Sequence, residues 1–161
     1  MKTIQINPTK IPFSLKVREM CTSCKRYNTK ATCPPYVENI NYYKELFNSY
    51  KNGIVCYEKF ECKDKNNWIE IGKHSSLVIS NYLLKRREEL FKEGHYFISV
   101  FGAGSCKLCP TCSFPCRHPQ KAIIPLEATG VDVVQLMKNC LIDIKFPIKD
   151  VFYRIGLILY D

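Results

Sequence analysis

The sequence predicts an α/β (or α+β) fold with a small, mostly parallel sheet, and three stretches carry that expectation. Residues Ile54-Val55-Cys56-Tyr57-Glu58-Lys59-Phe60 are rich in β-branched and aromatic side chains, and Tyr96-Phe97-Ile98-Ser99-Val100-Phe101 is a near-continuous apolar run. Between them Ile79, Leu83, Leu84, Leu90 and Phe91 form a helical stripe, so residues 54–101 read as strand, helix, strand, the order of a right-handed βαβ crossover. The chain has 161 residues and no composition shift, which predicts one domain over 1–161.

The remaining elements follow in order. Ile4 and Ile6, then Phe13, Leu15 and Val17, alternate with polar residues, predicting an extended arm and a short strand. Tyr43, Leu46, Phe47 and Tyr50 recur at helical spacing over 39–51, with Gly53 placed for a left-handed C-cap. Residues 63–67 read as a polar turn. Ser75 or Ser76 is the expected cap of the long helix, and Gly94 its end. A third helix is expected from Thr129, with Val133, Val134, Met137 and Leu141 on one side. Its free N–H groups would either be simply capped or face an anionic cluster or substrate. Val151–Tyr160 closes the chain as a strand apolar enough to be interior.

Chemistry concentrates in the cysteines. Cys106, Cys109, Cys112 and Cys116 follow the spacing C-x2-C-x2-C-x3-C, with Gly102 and Gly104 letting the backbone approach a bulky group closely. Bacterial ferredoxins use this spacing on [4Fe–4S] clusters, because short arcs present several thiolates to one compact core. A zinc site pairs C-x2-C with a second pair far along the chain instead. Arg117 stands where the ferredoxin run has proline. A second group, Cys21, Cys24 and Cys33, is followed by Pro34-Pro35, which restricts the backbone beyond the third thiol.

Seven ligands allow two partitions. Either Cys106, Cys109, Cys112 and Cys116 hold one complete cluster and Cys21, Cys24 and Cys33 a second with one iron open, or Cys116 crosses over to complete the N-terminal site. Both give two [4Fe–4S] clusters and one iron able to take a small-molecule ligand, unless Cys140, His118 or His74 fills that position. Of the lone cysteines, Cys56 reads as a small buried hydrophobe, Cys62 as exposed or partly buried, and Cys140 as a core cysteine or an eighth thiolate.

Bulk composition narrows the setting. Hydrophobic residues make up 46% and charged residues 24%, which excludes wholesale disorder. No apolar run reaches the length of a membrane span, and the polar start Met1-Lys2-Thr3-Ile4-Gln5 lacks the apolar core of a signal peptide. A cytoplasmic protein is expected, with thiols for metal rather than disulfides. The net charge of +9 is spread along the chain rather than gathered in a stripe. It reads first as a solvated surface, next as a dock for an acidic redox partner such as a ferredoxin or a reductase, and only third as a nucleic-acid surface. Lys85-Arg86-Arg87 on the long helix has the same two leading readings.

Several motifs together resemble a known family. They are Cys21-x2-Cys24-x2-Tyr27, Cys33-Pro34-Pro35-Tyr36, the run ending Cys116-Arg117-His118-Pro119, and Glu127-Ala128-Thr129-Gly130-Val131-Asp132-Val133. The chain resembles the predicted metal-binding proteins catalogued as domain of unknown function 2284, over nearly its whole length. The resemblance implies metal binding, iron–sulfur in kind, and a host among anaerobic bacteria or methanogenic archaea. It also implies a cysteine at the position this chain fills with Ala128. Electron transfer is the first expected function. An enzyme using the open iron for sulfur transfer, desulfuration or dehydration is the second, with Glu127, Asp132 or His118 as acid–base groups, and a structural zinc module is the third.

Overall fold

β-Branched and aromatic residues with apolar side chains on both faces can only be satisfied at the centre of a sheet, and Val151–Tyr160 (β5) takes that place. The computed structural model describes residues 1–62, 67–145, 148 and 150–161. The predicted polar turn over 63–67 lies outside them except for Asn67. The other strands are Lys2–Ile6 (β1), Asn52–Glu61 (β2), Ile98–Gly102 (β3) and Ile124–Pro125 (β4), in the spatial order β1-β2-β5-β3-β4. Only β3 and β4 pair in parallel; the β1–β2, β2–β5 and β3–β5 contacts are antiparallel.

The α+β form is therefore the one observed, and the expectation of a mostly parallel sheet is corrected. β2 and β3 do run in the same direction, since both are antiparallel to β5, but they are not neighbours. β5 arrives from the far end of the chain and lies between them, so the βαβ crossover expected between adjacent strands is replaced by a split one.

Trp68–Lys92 (α3) covers one face of the sheet, where Ile79, Leu83 and Leu90 pack with Ile54, Cys56 and Ile158. Ile40–Ser49 (α2) and Val133–Asn139 (α5) cover the other, with Phe47, Leu136 and Met137 against Val55, Leu157 and Leu159. Short helices Leu15–Met20 (α1) and Leu126–Thr129 (α4) complete that layer. Among the described residues no helix is long and apolar enough to cross a membrane.

Capping chemistry moved several boundaries. The strand expected at 13–17 reduces to one bridge, Phe13 to Val131, because Ser14 caps α1 by accepting from the Val17 amide at 3.4 Å. Gly53 belongs to β2, not to a helix cap; a Cβ there would stand 3.0 Å from Ile6 Cγ1. Ser75 and Ser76 are buried inside α3 and donate back to Gly72 O at 3.1 and 2.9 Å, so they start no helix. Gly94, at φ +99°, does end α3. Thr129 ends α4, with its hydroxyl on Leu126 O, and Asp132 caps α5 through the Gln135 amide at 2.9 Å. Leu136 and Met137 are the buried side of α5, while Leu141 is 95% exposed.

Gly156 of β5 lies under α3, where an added Cβ would meet Leu83 Cδ1 at 2.7 Å and the Phe101 carbonyl oxygen at 3.1 Å. Gly156→Ala is expected to cost about 1–3 kcal/mol by overpacking. Urea unfolding checks it, and Leu83→Val in the same chain should return part of the loss, a coupling that independent sites do not show.

Candidate metal centre

The sheet directs both cysteine groups to one end. β5 pairs with β2 along its full length but with β3 only from Leu157 to Tyr160. Beyond Gly102 the chain turns away as the loop carrying Cys106 to Cys116, and returns as β4 leading into Glu127. The carboxyl ends of the parallel pair β3 and β4 thus face the same region, where loops free of the sheet carry ligand chemistry.

All ten cysteines lie among the described residues, and none is in a disulfide. Cys106, Cys109, Cys112 and Cys116 are half-buried and line one small cavity together with Lys30, Thr32 and His118. Cys21, Cys24 and Cys33 form a second group, close enough that the charge of Cys24 raises the pKa of Cys21 and the charges of Cys24 and Cys21 raise that of Cys33. Burial pushes the Cys33 thiol up to about 11, against the nearby Thr32 hydroxyl and Lys107 ammonium. Burial likewise raises Cys21, opposed by Arg18. Among the described residues no three Cys, His, Asp or Glu side chains converge as they would around a single ion.

The segment Lys30–Cys33 is a wall common to both groups. The Ala31 amide donates to Cys112 Sγ at 3.3 Å, and the buried Lys30 ammonium donates to Cys109 O at 3.4 Å. Tyr36 and Phe114 pack with ring centroids 4.1 Å apart. Among the described residues two buried side-chain polar atoms have no hydrogen-bond partner, Arg18 Nη1 and Thr32 Oγ1. Arg18 stands beside Cys21, and Thr32 sits between Cys33 and the four-cysteine cavity.

The other candidates separate. Cys56 is fully buried and burial raises it to about 12, as its core reading requires. Cys62 is 1% exposed, which corrects its expected exposure; its amide donates to Asp150 O, so the end of β2 is covered rather than open. Cys140 packs against the core beside α5, and burial raises its pKa. His74 is on the exposed side of α3. Asp132 is occupied as a helix cap, whereas Glu127 lines a cavity of ≈ 550 Å³ beside α1. Cys21 Sγ contacts Glu127 O at 3.9 Å, so that cavity adjoins the three-cysteine group. Protein crowding around the Glu127 carboxylate raises its pKa although the side chain is open to the cavity.

Arg154, a further member of this cavity, was not among the sequence candidates. The signal was present, as a single cation in an otherwise apolar central strand. Arg18 and Thr32 carried none, since charged and hydroxyl residues flank most cysteines of this chain.

The family described as predicted metal-binding protein (DUF2284) matches residues 4–160. No curated protein and no solved structure matches the chain.

The contact between the two loops is testable by itself. Phe114→Ala removes an aromatic pair of the kind worth about 0.5–1.5 kcal/mol. Amide exchange at Ala31 should speed up by the corresponding factor, while exchange in β2 and β5 stays unchanged.

Proposed function

We propose that this chain, which belongs to the DUF2284 family of predicted metal-binding proteins, holds two neighbouring [4Fe–4S] clusters and transfers electrons through them. The observation that carries this reading is the placement of the two unpartnered buried polar atoms, Arg18 Nη1 and Thr32 Oγ1. Buried polar groups almost always have a partner, and these two stand beside the cysteine groups. A guanidinium and a hydroxyl are donors suited to an anionic, sulfide-rich core, so the residues present fit the group.

Cys106, Cys109, Cys112 and Cys116 would hold one cluster; their common cavity supports that partition over the crossover of Cys116. Cys21, Cys24 and Cys33 would hold the other. When bound, such clusters store and pass single electrons, and an iron without a thiolate is in addition a Lewis acid. The chain's own part is electrostatic. Arg18, Lys107 and Lys30 place positive charge beside the thiolates, and the Ala31 amide donates to Cys112 Sγ. The shared Lys30–Cys33 wall keeps the two groups adjacent, which suits transfer between them. Exposed Lys25, Arg26 and Arg117 on the same loops suit an acidic redox partner in the cytoplasm, a ferredoxin or a reductase.

A second reading has its own support. The cavity next to Cys21 gives a small molecule access to the group with three thiolates, as an enzyme using an open iron requires. Glu127 is then the acid–base candidate in the cavity, and its backbone carbonyl already contacts Cys21 Sγ.

Anaerobic purification should yield about eight iron and eight acid-labile sulfide per chain; a zinc-only protein would sink both readings. Cys116→Ser should abolish one cluster signal and keep the one built on Cys21, Cys24 and Cys33. Arg18→Gln removes a cation beside that second site, so its reduction potential in a redox titration should fall while the other stays in place.

A further inference from the structure

Along β5 the hydrogen-bonding direction alternates, and its parity is fixed at both ends. The Cys62 amide donates to Asp150 O, so even-numbered residues of the strand turn their N–H and C=O groups to β2. The Asp161 amide donates to Phe97 O, so odd-numbered residues turn theirs to the β3 side. β3 stops pairing at Leu157. The backbone groups of Val151, Tyr153 and Ile155 therefore point to a side of the sheet that holds no strand. Among the described residues nothing bonds to these groups. Buried backbone is almost always paired, and Ile155 is only 6% exposed.

The cavity beside α1 lies along that edge. Every residue from Val151 to Ile155 lines it, as a cavity over one face of a strand would not allow, because neighbouring side chains alternate between faces. Its volume is ≈ 550 Å³, and Val17, Met20, Val133 and Ile144 give it apolar walls. Met20 and Val134 are 72% and 45% exposed, so apolar surface continues outward at the mouth. Lys59, Lys145 and Asp143 are exposed on the lining. Glu127 has Arg154 as its charge partner and Asp132 caps α5, which leaves a net positive mouth.

We propose that this groove takes an extended segment of another protein as an added strand on β5. An open strand edge asks for donors and acceptors repeating about every 7 Å, which a polypeptide supplies and a small apolar ligand does not. The segment carries apolar residues at alternate positions, for the walls of α1 and α5, and an acidic residue at the mouth, complementary to Lys59 and Lys145. A second copy of this chain does not fit. Its long outer strand is β1, and a β1-to-β5 contact is head-to-tail and does not close on itself. Glu127 lines the groove and its carbonyl contacts Cys21 Sγ, so a docked strand lies near the three-cysteine group. The dock stands on the geometry of β5; its service to electron transfer rests on the proposed function.

Amide exchange on the anaerobically purified full chain tests the edge first. The amides of Val151, Tyr153 and Ile155 should exchange at least about tenfold faster than those of Phe152, Arg154 and Gly156, which bond to β2. The peptide acetyl-Asp-Val-Thr-Val-Thr-Val-amide is the probe, and it should slow those outward amides while leaving β1 unchanged. N-methylation along one of its edges should weaken binding at least about tenfold, and along the other edge little, as loss of main-chain bonds requires. Val134→Trp should block the probe, and lysine in place of its aspartate should weaken it. Equal protection of odd and even amides in the free chain overturns the proposal. So does absent binding, binding indifferent to Val134→Trp or to methylation of either edge, tighter binding of the lysine probe, or a dimer that protects the same amides. Iron and sulfide counted on the same samples judge the cluster reading separately, so either can fail while the other stands.

Discussion

The register of β5 governs where chemistry can occur in this molecule. Its ten residues are matched along their length by β2, yet β3 pairs only with the last four. Among the described residues the first half of β5 therefore has no strand on its β3 side, and the chain beyond β3 departs there as loops. Both cysteine groups, Glu127 and the cavity beside α1 gather at that end. Gly156 marks the transition, since its missing side chain lets α3 and the end of β3 approach β5 together.

Electrostatics then orders what the sheet has brought together. Lys107 is crowded by burial and by Arg26, Lys30 and Arg154, which lower its pKa. Cys33, Cys21 and Glu127 are pushed the other way by burial. At Cys21 and Cys33 burial outweighs the nearby cations, so the thiol is favoured over the thiolate there. Of these cations Arg26 and Lys107 are exposed on the cysteine loops, whereas Lys30 is buried between them.

Much of the fold was legible in local pattern. β5 announced itself as interior because its apolar residues are nearly unbroken, and α2 through Tyr43 and Phe47. Sheet order was not legible, because nothing local in 54–101 says that a strand from 151–160 will enter between its two strands. Helix starts were misplaced where two hydroxyl or carboxylate caps competed: Asp132 over Thr129, and Ser14 against an alternation too short to hold a strand. The cysteine groups could be read as groups from spacing alone, but not their common wall, which depends on Ala31 meeting Cys112. Arg154 was overlooked because a lone charge in a strand usually means an edge; here the open side of a central strand provides the same relief.

The hydrogen bond from the Ala31 amide to Cys112 Sγ has a consequence for biogenesis. Each cysteine group is local in the chain, spanning 21–33 or 106–116, so each can be gathered by a nascent segment with little loss of loop entropy. Their juxtaposition, by contrast, spans 81 residues and is a long-range contact. Each group can thus be gathered within its own short segment, whereas the wall they share forms only once the chain has run from Ala31 to Cys112.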